Sequence, residues 1–237
     1  MASEMKHEIG IEQPSYLVSD WPNKYRVFSW LEYVVTVPNP IFLVTTRKAN
    51  GAANANLHSW GLLVGERDHY SSLLALLEPT HTYANILREG EWCVNFPSVK
   101  HYPQCFETIH CNGPDNDEIA DAGLTAEAAQ TVQAPRIAEC AINLECKLAW
   151  HHPLYEDSQW HLFVGRVLHV AVDEVATVVD PDQRMEALGL MYNVRGTVNP
   201  LNGEYYGPNT LGLLNQVMRI YNPEAAHNHT QRRDDEQ

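Results

Sequence analysis

Two short stretches carry the side chains best suited to chemistry. The first is Asn54-Ala55-Asn56-Leu57-His58-Ser59-Trp60, which follows an Asn50-Gly51 turn signal. It reads as a small polar loop in which amide, imidazole and hydroxyl groups stand beside one large aromatic ring. That mixture can hydrogen-bond a flat heteroaromatic ring and cover its face. An ordinary polar hairpin loop has the same composition. The second stretch is Glu78-Pro79-Thr80-His81-Thr82-Tyr83, which runs into a helical pattern. Backbone N–H groups at a helix N-terminus, flanked by two threonine hydroxyls, form an anion site that holds a phosphate without a lysine. The alternative is that Thr80 only caps the helix.

The elements that must position these groups are mostly strands. Ile41 to Thr46 is a short apolar run closed by the Asn-Gly turn, and Ser71 to Leu77 and Glu91 to Phe96 read as further strands. Between them, His81 to Glu89 has helical spacing and stops at Gly90. From Ile137 to Trp150, Ala138, Cys140, Ile142, Leu144, Cys146, Leu148 and Trp150 alternate with Glu139, Asn143, Glu145 and Lys147. This predicts a long half-buried strand with Trp150 on the apolar face. A second long strand is expected over Trp160 to Val172, with Gly165 as a bulge or a point of close backbone approach. Asp20-Trp21-Pro22, with a capping Asp and a first-turn Pro, predicts the start of a helix over Asn23 to Val35. Long strands, hairpin turns and few helices favour an antiparallel barrel over a doubly wound sheet.

Composition narrows the function classes. Acidic residues outnumber basic ones by 30 to 16, a formal charge of −14, and no basic cluster offers a nucleic-acid surface. No window approaches a membrane span, and the N-terminal stretch lacks the apolar core of a secretory signal, so a soluble, cytoplasmic protein is expected. Five cysteines without a CxxC pair read as reduced thiols. Cys140 and Cys146 sit six residues apart on one strand face, about 20 Å at ~3.3 Å per residue, too far to bridge each other. No phosphate loop, GxGxxG, HExxH or GxSxG occurs. His151-His152-Pro153 looks like a hairpin end, and neither it nor His227-Asn228-His229 has the partners of a closed metal site. One domain is expected over residues 1–223, followed by a polar tail over 224–237 that reads as disordered.

In order and spacing, these segments resemble the flavin-reductase-like family of FMN-binding split barrels. The resemblance runs from Pro40 to Val172: Pro40-Ile41 to Thr45-Thr46, Gly51-Ala52-Ala53-Asn54 through Ser59-Trp60, Thr82 with Asn85-Ile86, then Glu91 to Asn95. Farther on, Ala122-Gly123-Leu124-Thr125, Ala134-Pro135-Arg136-Ile137, Leu144-Glu145-Cys146 and His161-Leu162-Phe163-Val164-Gly165-Arg166-Val167 continue it. Near the end, Leu190 to Gly196 departs from the family's Arg-x-Gly-Gly-x-x-Tyr segment, and the stretch from Thr197 to Tyr221 lies beyond the match. That stretch reads as a lid, a dimer arm or surface packing.

The resemblance implies a mainly β fold, an antiparallel Greek-key split β-barrel with a few peripheral helices. It implies FMN as cofactor and NADH or NADPH as co-substrate. Thr45, Thr46 and the loop Asn54, Ala55, Asn56, His58, Ser59 and Trp60 would surround the isoalloxazine, with Thr80, His81 and Thr82 on the phosphate. His161 would line the nicotinamide side as the catalytic candidate; a structural histidine at a strand start is the alternative. A homodimer and a partner monooxygenase are implied in the same way. An NAD(P)H-dependent flavin reductase is the first reading. An FMN enzyme that reduces an organic substrate directly, and a non-catalytic FMN carrier or sensor, stand beside it.

Overall fold

A computed structural model describes residues 6–15, 29–35, 37–194, 197–199, 201–206 and 210–214. In chain order the elements are α1 (Leu31–Val34), β1 (Pro38–Pro40), β2 (Phe42–Arg47), β3 (Ala53–His58), β4 (Gly61–Glu66), β5 (His69–Leu77), α2 (His81–Glu89) and β6 (Glu91–Pro97). A 3-10 turn (Val99–His101), α3 (Tyr102–Glu107), α4 (Glu118–Asp121), β7 (Ala126–Glu127) and β8 (Arg136–Ile137) come next. They lead to β9 (Cys140–Pro153), β10 (Trp160–Val172), α5 (Val175–Val178), α6 (Arg184–Leu188), β11 (Met191–Val194) and β12 (Thr210–Leu213).

Seven strands form one antiparallel sheet in the order β3-β2-β6-β9-β10-β5-β4. β3 and β4 are joined by Ser59 and Trp60 alone, yet they occupy opposite edges of that sheet. The sheet must therefore curl until its edges approach, which makes the antiparallel barrel expected from the strand pattern. Gly61 marks the approach: a Cβ there would lie 2.6 Å from the Phe42 ring on β2. Phe42, Val44, Leu74, Trp92, Leu144 and Phe163 fill the interior. A second apolar cluster, built on Leu43, Ala53, Ala55, Ile119 and Ile137, lies outside β2 and β3.

Trp92 reaches across the interior to β10, where a Cβ on Gly165 would meet its ring at 2.1 Å. A fully buried tryptophan removes about 150–250 Å² from water, on the order of 4–6 kcal/mol at ~25 cal/mol/Å². Gly165 is thus the close approach read from the sequence, and the register also shifts beside it.

That shift overturns the expected place of Trp150. Val164 pairs with Trp150 and Gly165 with Leu148, so Ala149 is left unopposed. The extra residue changes the phase of the strand. Trp150 faces outward at 45% exposure, and His151, opposite buried Phe163, turns inward. The polar face of β9 is also not solvent-facing over its first half. Glu145 is fully buried because it accepts hydrogen bonds from Gln130 N, Thr131 N and Thr131 Oγ1.

The helix expected over Asn23 to Val35 lies partly outside the described residues; Leu31–Val34 is its helical portion among them. The atypical Leu190 to Gly196 segment supplies β11, which pairs with β1 on one side and β12 on the other. Part of the stretch after Thr197 therefore serves as a strand, with Gly212 packed beneath the Tyr192 ring. Residues 195–196, 200, 207–209 and 215–221 of those segments, and the tail from 224 onward, lie outside the described residues.

Candidate functional site

The stretch expected as a loop at Asn54 to Trp60 is a strand as far as His58. Its alternation explains the difference. Ala53, Ala55 and Leu57 pack outward on the second cluster, while Asn54, Asn56 and His58 stand opposite Thr46, Val44 and Phe42 on the barrel face. Two of the polar residues on this face, Asn54 on β3 and Thr46 on β2, find partners on α2. Asn54 Nδ2 donates to Thr82 Oγ1 at 3.0 Å, and Asn85 Nδ2 donates to Thr46 Oγ1 at 2.9 Å. Thr82 and Asn85, three residues apart, share one helix face. Arg88 Nη1 donates to Asn85 Oδ1 at 3.1 Å and completes the seam. Asn54, Thr46, Thr82 and Asn85 are all buried.

Thr45 does not join them. Strand alternation turns it to the opposite face of β2. There its hydroxyl donates to Pro135 O and accepts from Asn95 Nδ2 at 3.0 Å. Asn56 is half-buried, while Ala55 and Ser59 are buried. Ala55 N–H, on the outer edge of β3, donates to Glu118 Oε2 at 2.8 Å.

At the head of α2, Thr80 acts as the cap: its Oγ1 accepts from Tyr83 N at 3.3 Å and donates to Leu77 O at 2.8 Å. His81 is 37% exposed, with Nδ1 3.7 Å from Glu118 Oε1. Glu118 is buried and paired at 2.9 Å with the equally buried Lys48 Nζ, which also donates to Gly113 O and Asn116 O. Nothing local in the sequence marks Lys48 or Glu118. Glu118 meets Ala55 across 63 residues, and only the folded chain brings the two together.

At the far end of β3, His58 lies edge-on to Phe42 at 5.4 Å and 5.2 Å from Trp60, which in turn sits 5.5 Å from Trp160. Burial pushes the His58 imidazole down to about 4, against smaller opposing effects of the Ala75 and Trp60 backbone, so the ring is neutral near pH 7. Trp60 Nε1 donates to Glu32 Oε2 at 3.2 Å and borders a cavity of about 320 Å³ shared with Leu31, Val35, Val37 and Asn39. Another cavity, of about 270 Å³, lies by Arg47, Glu91 and Gln133. Its lining groups bond one another, Arg47 Nε to Gln133 O and Gln133 N to Glu91 Oε1, which argues for a structural crevice.

His161 stands on β10 opposite Leu76 and Pro153, with Tyr83 of α2 edge-on at 5.1 Å and His151 stacked at 5.9 Å. It therefore belongs to the barrel mouth beneath α2, beside the turn that carries Thr80 to Thr82. His151 lies near the end of the β9–β10 hairpin, as its sequence suggests, but the bulge that turns it inward leaves no sequence signal. Among the described residues, no group of three or more His, Cys, Asp or Glu side chains is arranged to hold a metal. No helix among them is long and apolar enough to cross a membrane.

Residues 34–192 match the family model described as a flavin reductase like domain. The fold is similar to nitrilotriacetate monooxygenase component B from Bacillus cereus, with a TM-score of 0.69 and 21% identity over 92% of this chain and 100% of that one. It is similar also to a candidate flavin reductase with a split barrel domain from Shewanella frigidimarina, with a TM-score of 0.70 and 18% identity over 91% and 100% of the two chains. A third solved relative is the 2-nitrobenzoate 2-nitroreductase of Pseudomonas fluorescens, with a TM-score of 0.62 and 22% identity over 86% and 94%.

Proposed function

Because the chain belongs to the flavin reductase-like domain family, and so to the flavin-related oxidoreductases, we propose that it binds FMN and passes hydride to it from NADH or NADPH. The observation that supports this reading is the Asn54 to Thr82 hydrogen bond, which brings the two chemically promising stretches side by side.

The residues present fit a flavin mononucleotide. A phosphate requires N–H and O–H donors, and the head of α2 offers backbone N–H groups, the Thr82 hydroxyl and the partly exposed His81. His81 Nδ1 is buried without a hydrogen-bond partner among the described residues. Thr80 contributes by fixing the first turn of the helix. A flat ring requires aromatic cover with a few polar contacts, and His58, Ser59 and Trp60 stand at the other end of β3. Asn54, Asn56 and Thr46 line the strand pair between these ends, and Ala55 and Thr45 support it from behind.

When bound, FMN supplies the hydride-accepting chemistry, and the protein supplies position and electrostatics. No dedicated acid or base is required for hydride transfer. His161 lines the face where the nicotinamide approaches, and Tyr83 and His151 hold its ring. The similarity to a 2-nitrobenzoate 2-nitroreductase favours a second reading, direct reduction of an organic substrate such as a quinone or nitro compound. The nitrilotriacetate monooxygenase component suggests the contrasting fate, in which reduced flavin leaves for a partner monooxygenase. For a homodimer, the support is an apolar row across the outer sheet face, Leu62, Leu73, Val164 and Trp150 in direct register.

Anaerobic mixing of the FMN-loaded protein with NADH or NADPH tests the reading. Rapid bleaching with release of reduced flavin supports the reductase. Bleaching with flavin retained, followed by reoxidation with a quinone or nitro compound, supports the second reading. Bound flavin that neither nucleotide bleaches identifies a carrier or sensor.

A further inference from the structure

We infer that Glu118 is a positioning residue for the FMN phosphate, acting through His81: its buried carboxylate accepts Nδ1–H, and the ring takes from solvent a second proton that Nε2 donates to the phosphate. This rests on the flavin reading above and makes FMN binding proton-coupled. Two orphaned atoms face each other beneath the head of α2. His81 Nδ1 and Glu118 Oε1 lie 3.7 Å apart, and each is buried without a hydrogen bond among the described residues. Buried polar atoms without partners call for an explanation, and here each is the complement of the other. A shift of about 0.8 Å brings the pair to the ~2.9 Å of an N–H···O bond. Glu118 is fixed to receive it. Its side chain is 2% exposed, and Ala55 N–H holds Oε2 at 2.8 Å. The Lys48 contact to Oε1, at 2.9 Å, is an ion pair that leaves this oxygen without a well-directed hydrogen bond.

The charges at the head of α2 explain why the ring supplies the cation. A phosphate monoester is dianionic above its second pKa of about 6. Lys48 cannot answer that charge, because its three N–H donors are committed to Glu118 Oε1, Gly113 O and Asn116 O. The helix terminus contributes only about half a unit charge. His81, in the first turn, can add a full one. Its Nδ1 is buried while the side chain is 37% exposed, so the exposed part of the ring lies on the side away from Nδ1, where Nε2 is. An imidazolium has two donors, one for the carboxylate and one for the phosphate. Glu118 of α4 faces the ring, Lys48 lies behind Glu118, and Glu78 precedes the ring in the turn that enters α2. From the interior outward the charges then alternate: Lys48, Glu118, His81, phosphate.

The test is calorimetric titration of the full chain with FMN and with riboflavin, which lacks the phosphate, at pH 8 in buffers of different ionisation enthalpy. This pH lies above both the second phosphate pKa and the ordinary histidine value of about 6.5, so protons taken up with FMN go to the protein. The wild-type chain should take up about one proton per FMN and none with riboflavin. His81→Gln and Lys48→Met/Glu118→Gln should each abolish the uptake. Each should also lower the ratio of riboflavin Kd to FMN Kd by about tenfold to a hundredfold, the loss of one charged hydrogen bond. The double variant leaves no unpaired buried charge, and His81→Gln, at a partly exposed position, keeps the test independent of folding. FMN that binds without proton uptake overturns the proposal and leaves the flavin reading standing. Uptake that survives in either variant overturns it too, since the proton then resides elsewhere or does not depend on Glu118. A wild-type chain that binds neither flavin overturns the flavin reading and this proposal with it.

Discussion

Asn54, on the barrel face of β3, donates a 3.0 Å hydrogen bond to the Thr82 hydroxyl in the first turn of α2. The bond fastens the helix head to a strand 28 residues upstream, so the proposed phosphate site and the proposed ring site form one rigid unit. Asn54→Ala leaves the buried Thr82 hydroxyl without its donor and should cost about 1–3 kcal/mol of stability. FMN affinity should fall with it. Thr82→Val should weaken FMN binding by about tenfold or more, the loss of a hydrogen bond to a charged group. Thr80→Ala should act first on stability, by about 0.5–2 kcal/mol, because it removes the cap. Chemical unfolding and FMN titration of the three variants separate these effects, and unchanged FMN affinity in the Thr80→Ala/Thr82→Ala double variant would remove the phosphate assignment.

Gly165→Ala places a methyl group inside the Trp92 ring, with a Cβ contact of 2.1 Å. Overpacking of this kind costs about 1–3 kcal/mol, and backbone on both sides limits relaxation here. The urea midpoint should drop without a change in slope. Adding Trp92→Phe should recover part of the loss, a coupling that independent sites would not show.

The helix over His81–Glu89 was legible in the sequence because its signals are local: Thr80 caps one end and Gly90, at φ 71°, closes the other. The two long strands and the Gly165 approach were legible from alternation and from one glycine out of place. Asn54 to His58 was not, because its polar residues look like a loop and the α2 partner of Asn54 lies 28 residues away. Trp150 was assigned to the wrong face because a single bulge reverses the phase. Lys48, Glu118 and His151 had no local signature, since contacts distant in sequence or a register shift give them their roles.

His58 should make the protein acid-sensitive. Its folded value, about 4, lies below the ordinary 6.5, so the unfolded chain takes up a proton that the folded chain refuses. The contribution is complete above pH 6.5 and is lost as the pH falls toward 4, about 3 kcal/mol in all. His151 contributes in the same direction. Stability measured across this window should fall less steeply in His58→Gln than in the parent. Identical slopes would show that His58 titrates normally.

Lys48 and Glu118 form a pair with side chains only 5% and 2% exposed. Lys48→Met leaves a buried carboxylate without its cation and should cost about 3–5 kcal/mol. Lys48→Met/Glu118→Gln should regain part of that loss, since the amide oxygen still accepts from Ala55 N–H. Equal stability of the single and double variants would show that the charge itself matters little.

The proposal that the Asn54–Thr82 unit binds a redox-active FMN is tested most directly by titrating the purified chain with FMN and then adding NADH or NADPH without oxygen. One FMN should bind per chain, and its visible absorbance should bleach on addition of a nicotinamide nucleotide. FMN that remains free at micromolar concentrations of protein, or bound FMN that neither nucleotide bleaches, would contradict it.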